Sequence, residues 1–134
     1  MTSALENLSG RGKPLSPEPP DAAETAGLVR SGRARLLDAS NTTLSLESRF
    51  DLAYNAAHAL SLAALRQRGY RANQRYIVFQ VLPHTIGVGP EVWRVLAQAH
   101  RLRNLAEYEG HVDVEERIVL DVIAACTVIL DRLS

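Results

Sequence analysis

Between Leu52 and Leu65 almost every position is alanine or leucine, and a helix of that composition is apolar nearly all the way round. Such a rod cannot lie on a surface, so other elements must cover it on several sides. Its ends are marked: Ser45 is placed to cap the first turn and Gly69 to close the last, which predicts a helix from about Leu46 to Arg68. Alanine and leucine together account for 37 residues of the chain and aromatic residues for only 7, a mixture that favours helix on helix over a β-sandwich. The expected fold is all-α, an antiparallel bundle of about four to five helices around this central rod.

The remaining segments carry helix punctuation. Asp21 followed by Glu24 has capping-box spacing, and Leu28, Gly32 and Leu36 repeat at steps of four through to about Ala39. Tyr76 to Leu82 is rich enough in β-branched and aromatic residues to pass as a strand. A short helix from about Asn73 is preferred, because a lone strand would leave its edges unpaired. That helix should end at Pro83, with a loop through Gly89. Pro90 then suits the first turn of a helix that Gly110 terminates, and Asp113 with Glu116 caps a last helix whose core stripe runs through Ile118, Val122, Ala125, Ile129 and Leu133. Residues 1–20 hold two glycines and four prolines without a sustained apolar period. They read as a flexible arm preceding a single helical domain over residues 21–134.

Composition excludes several classes. Fifteen basic and fifteen acidic residues give a formal net charge of zero, which rules out a uniformly basic nucleic-acid binder. One cysteine, Cys126, rules out an internal disulfide framework. No apolar run approaches the roughly 18 to 20 residues that span a bilayer, and no apolar stretch follows the first charges, so the chain reads as cytoplasmic, with no membrane partner. His58, His84, His100 and His111 lie on different segments without metal-ligand spacing, and Gly87-Val88-Gly89 lacks the lysine and further glycine of a phosphate loop. No metal or cofactor is expected.

The neutrality conceals an uneven distribution: residues 1–48 carry net −1, residues 49–103 net +6 and residues 104–134 net −5. All but one of the basic residues are arginine, with Arg66, Arg68, Arg71 and Arg75 clustered where the central helix hands over to the next. This suits either an arginine-lined anion groove or ion pairing within the fold, the acids of the last helix covering the arginines of the middle ones.

Two rows of polar residues are candidate sites. On the central helix, Asp51, Asn55, His58 and Leu62 follow steps of four, three and four, which aligns three polar groups as either an exposed stripe or a seam facing a cleft. On the helix after Pro90, Arg103 falls inside the apolar face of Val92, Val95, Leu96, Ala99, Leu102 and Ala106. His100 lies three residues before it and Glu107 four after, forming one ionisable ridge. Either Glu107 neutralises Arg103, or Arg103 holds an anion, most naturally a phosphate, with Asn104 and Tyr108 beside it. Tyr54, Tyr70, Tyr76 and Trp93 read as packing residues, and His84 as a loop residue.

Over about residues 49–133 the chain resembles the HEPN superfamily of small prokaryotic helical-bundle proteins. The likeness is carried by the Ala-rich helix with Phe50-Asp51-Leu52-Ala53-Tyr54-Asn55-Ala56-Ala57-His58, by the helix end at Gly69-Tyr70, and by Arg103-Asn104 late on a later helix. The family's motif is an arginine, often followed by a polar residue, with a histidine after four to six intervening residues. His111 here arrives one step late, beyond Gly110. The resemblance implies a homodimer whose motif helices line a shared cleft, in a toxin–antitoxin or defence setting, with a nucleotidyltransferase or antitoxin as a further partner. Three functions follow from it: binding of nucleotide or RNA phosphate through Arg103; a metal-independent endoribonuclease with Arg103 and His111 as the catalytic pair; or a structural adaptor whose arm docks onto another chain.

Overall fold

A computed structural model describes residues 3–110 and 113–133. Among them are seven helices: α1 (Ala4–Asn7), α2 (Ala22–Ala39), α3 (Leu46–Gln67), α4 (Arg75–Gln80), α5 (Leu82–Thr85), α6 (Pro90–Glu109) and α7 (Glu116–Leu133). Two three-residue strands, β1 (Leu15–Pro17) and β2 (Tyr70–Ala72), form the only sheet of the described residues. The protein is an all-α helical bundle. None of these helices is long and apolar enough to cross a membrane.

The Ala/Leu rod is α3, and it lies against α2, α4, α5, α6, α7 and β2. Its buried residues include Phe50, Tyr54, Leu60 and Leu65 together with six alanines, so the small side chains are what allow neighbours to approach from several directions. The closest approach is at Gly32 of α2, where a Cβ would lie 2.6 Å from the Leu60 side chain. Ser45 caps α3 as expected, its hydroxyl accepting from the Ser48 N–H at 3.1 Å. Gly69, at φ +87°, turns the chain out of α3 into β2, a backbone angle that L side chains rarely adopt.

Several expectations are corrected. Residues 3–20 are part of the fold: Leu5 and Leu15 are buried, and β1 pairs antiparallel with β2 in the register Leu15 to Ala72, Ser16 to Arg71 and Pro17 to Tyr70. The prolines allow this because a strand at a sheet edge can do without one ladder donor. Asp21 caps α2 by accepting from Ala23 and Glu24 N–H, but the Glu24 carboxylate completes no capping box and reaches Arg66 and Arg71 instead. Pro83 does not end the helical run at a loop. It sits in the first turn of α5, where its missing N–H would be unpaired anyway. The last helix begins at Glu116, three residues beyond the predicted Asp113 cap.

Arg66 explains how the N-terminal segment is held. Its side chain is 1% exposed, yet each guanidinium nitrogen has a partner. Nε donates to Glu24 Oε1 at 2.5 Å, Nη1 to the Glu18 and Tyr70 carbonyls at 3.0 and 3.2 Å, and Nη2 to the Pro19 carbonyl at 2.8 Å, with Glu18 Oε2 at 3.1 Å. Arg71 bonds the same two carboxylates at 2.6 and 2.7 Å, and these arginines hold Glu18 and Glu24 below the usual carboxylate range. At the far end of α2, Arg49 Nε donates to the Ala39 carbonyl at 2.8 Å, with Glu116 3.7 Å away. Much of the arginine excess is thus satisfied internally. The acids of Arg66 and Arg71 come from residues 18–24, and the last helix supplies Glu116 to Arg49.

Candidate functional site

The predicted ridge on α6 is present, and it faces aromatic side chains from two other helices. His100, Arg103 and Glu107 lie along one side of α6; Tyr54 comes from α3, and Tyr76 and Phe79 from α4. The Tyr54 hydroxyl lies 2.9 Å from His100 Nδ1, and the Asn104 side-chain nitrogen 3.1 Å from His100 Nε2. Tyr76 packs on the same imidazole with ring centroids 5.0 Å apart. Both nitrogens of His100 are therefore engaged. Burial first, and then Arg103, Arg75 and Arg101, lower its pKa, so the ring is neutral near pH 7.

Arg103 has two partners, an aromatic ring and a carboxylate. Its Cζ sits 4.9 Å from the centroid of the buried Tyr54 ring, and Nη1 lies 3.2 Å from Glu107 Oε1. The side chain retains 26% exposure, so a cation inside an apolar face is accommodated by an aromatic face, an intrahelical carboxylate and a partial view of solvent. The ion pair anticipated from the i, i+4 spacing is formed.

His58, one turn beyond Tyr54 on α3, packs edge-on to Phe79 at 6.3 Å. Burial, followed by the charges of Arg75 and Arg103 and by His100, pushes its pKa down to about 4. Its imidazole and the Arg75 side chain make no hydrogen bond or ion pair among the described residues. The polar row on α3 thus divides. Asp51 is exposed and Asn55 spends its amide on the Asp51 carbonyl at 2.9 Å, whereas His58 and Leu62 line a cavity.

Two cavities flank this cluster and differ in charge. One, of about 180 Å³, is lined by Glu47, Phe50, Asp51, Arg103 and Glu107, three carboxylates against one guanidinium. A phosphate entering there would meet repulsion on three sides. The other, of about 230 Å³, lies between α3 and the β2–α4 connection and is lined by His58, Leu62, Arg71, Asn73, Gln74 and Arg75, with Val78 beneath. Among the described residues no cluster of three or more histidine, cysteine, aspartate or glutamate side chains is arranged to hold a metal ion. Cys126 is buried, with its thiol pushed up to about 12 by burial, and so is not a nucleophile near neutral pH.

Of the sequence candidates, Arg103, Asn104, His100 and Glu107 come together on α6, with His58 within electrostatic reach of the first and third. Asn55 is turned back onto its own helix, and Tyr108 points away at 91% exposure. His111 lies outside the described residues. The residues that spacing missed are Tyr54 and Tyr76, read as packing groups, and Arg75, read as one member of a basic run. The Tyr54 contact to His100 spans 46 positions, which no local pattern encodes. No protein-family model, no curated protein and no solved structure matches the chain.

Proposed function

We propose that the chain binds the phosphate of a nucleotide or of RNA where α3, α4 and α6 meet, with Arg75 and Arg103 as its cations, as a HEPN-like homodimer in a prokaryotic toxin–antitoxin or defence setting. The observation that carries this reading is the concentration of Arg75, Arg101 and Arg103 beside two neutral histidines and exposed amides, with no carboxylate lining the cavity on the Arg75 side. Arg75 is exposed and has no partner among the described residues, and guanidinium groups are well suited to phosphate oxygens. The partner side of Arg103, walled by Glu47, Asp51 and Glu107, disfavours an anion, so the phosphate is assigned to the Arg75 side.

Binding is favoured over cleavage. A general base needs a free nitrogen of moderate basicity, but His100 has both nitrogens engaged and His58 is only weakly basic at a pKa of about 4. The endoribonuclease alternative rests on Arg103 and His111. The adaptor alternative loses its docking segment, because Leu5 and Leu15 are buried within this chain.

Arg75→Ala and Arg103→Ala should each weaken retention of a short single-stranded RNA roughly tenfold at low salt, with the loss shrinking as salt rises and circular dichroism unchanged. Unchanged retention in both variants would overturn the reading. Homodimerisation is supported by Leu105 and Tyr108, which leave 44% and 91% of their surface exposed three residues apart on α6. Light scattering should give a dimer at micromolar concentration and a monomer for Tyr108→Glu; a monomeric wild type would remove the shared cleft.

A further inference from the structure

We infer that the cavity between α3 and the β2–α4 connection is a nucleobase pocket, taking one planar heterocycle between Leu62 and Val78 with its polar edge against His58, Asn73 and Gln74. This inference rests on the phosphate-binding reading and names the part of the ligand that reading leaves open.

The division of labour follows from the chemistry of the walls. Arg71 borders the cavity, but its guanidinium is already bonded to Glu18 and Glu24, so its charge is spent within the fold. His58 is a neutral imidazole, able to offer one donor and one acceptor. The Asn73 and Gln74 amides, each a donor and an acceptor, make no hydrogen bond among the described residues. Leu62 and Val78 contribute apolar surface. An interior that is uncharged, partly apolar and edged by unpaired donors and acceptors suits a flat, neutral, hydrogen-bonding group, and amide side chains read the edges of bases in just this way. The unpaired cation, Arg75, stands exposed at the rim, where a phosphate attached to the base would emerge. Size points the same way. A cavity of about 230 Å³ is smaller than the roughly 300 to 1,000 Å³ typical of sites that enclose a whole ligand, so it accommodates one ring and leaves sugar and phosphate outside. A free mononucleotide and an unstacked base of single-stranded RNA present the same chemistry.

The test uses the full chain and equilibrium dialysis against the four nucleoside 5′-monophosphates, the corresponding nucleosides, inorganic phosphate and a short single-stranded RNA. At least one monophosphate should bind roughly tenfold or more tighter than inorganic phosphate. Leu62→Trp, which fills the cavity, and Asn73→Ala, which alters only an exposed connection, should each reduce that advantage while leaving phosphate binding within about twofold. Loss of RNA binding in these variants, without mononucleotide binding to the wild type, would assign the base to RNA. Monophosphates that bind no better than phosphate while RNA binding is unchanged in both variants, or an advantage that survives both substitutions, would overturn the pocket and leave the phosphate reading standing. Nucleosides that bind as tightly as nucleotides, and are lost in Leu62→Trp, would overturn the phosphate reading and keep the pocket. Absence of binding by every probe would overturn both.

Discussion

Removing residues 1–20 will cost the protein most of its stability. The deletion takes away Leu5 and Leu15, both almost fully buried and worth about 1.5 to 3 kcal/mol each in apolar burial. It also removes Glu18 and the Glu18 and Pro19 carbonyls, leaving Arg66 with Glu24 and the Tyr70 carbonyl as partners. Taking a partner from a buried charge costs about 3 to 5 kcal/mol, and the sum approaches the roughly 5 to 15 kcal/mol that holds a typical domain together. The shortened chain should unfold at much lower urea than the full one and expose apolar surface. Arg66→Ala in the full chain should lower the unfolding free energy by about 1.5 to 3 kcal/mol, because the Glu18, Pro19 and Tyr70 carbonyls lose their charged donor. Equal urea midpoints for the full and shortened chains would mean that this segment is dispensable.

The second large effect is acid sensitivity centred on His58. Its pKa is about 4 in the fold against 6.5 for an ordinary histidine, so between those values the unfolded chain takes up a proton that the native chain refuses. Stability is therefore fully present above pH 6.5 and is lost as pH falls toward 4. At about 1.4 kcal/mol per unit, discounted for the solvent access that a half-buried ring retains, the loss is about 2 to 3 kcal/mol. His100, also lowered, acts in the same direction. The carboxylates of Glu18 and Glu24 hold their contribution until the pH drops below the ordinary carboxylate value of 4.5 and through their depressed native ones. Urea midpoints should fall between pH 7.5 and 5 in the wild type and much less in His58→Gln. Parallel profiles for the two proteins would locate the sensitivity elsewhere.

The main helices were legible because their signals are local. Ser45, Asp21, Pro90 and Gly110 punctuate the chain where the structure starts or stops a helix, and the Ala/Leu stretch is the central rod. The ridge of His100, Arg103 and Glu107 was legible for the same reason, since residues three and four apart share a helix face. What escaped depends on pairs far apart in sequence. β1 and β2 are three residues each, too short for an alternating pattern to register, and one of them ends in proline. In sequence Arg66 is one of four clustered arginines that fit an anion groove or internal ion pairing equally, and only its contacts 42 and 48 positions away reveal a buried clamp. The cavity is likewise formed by α3 meeting the β2–α4 connection, so His58 could be named as a candidate while the amides opposite it could not.

The small sheet and the Arg71 to Glu18 bond join residues more than fifty positions apart, and closing so long a loop is entropically costly and comes late. The α2 and α3 pair, close in sequence, can assemble without it. On a growing chain the segment ahead of α2 must therefore wait, undocked, until β2 has been made. While it waits, that segment is open to proteases and chaperones.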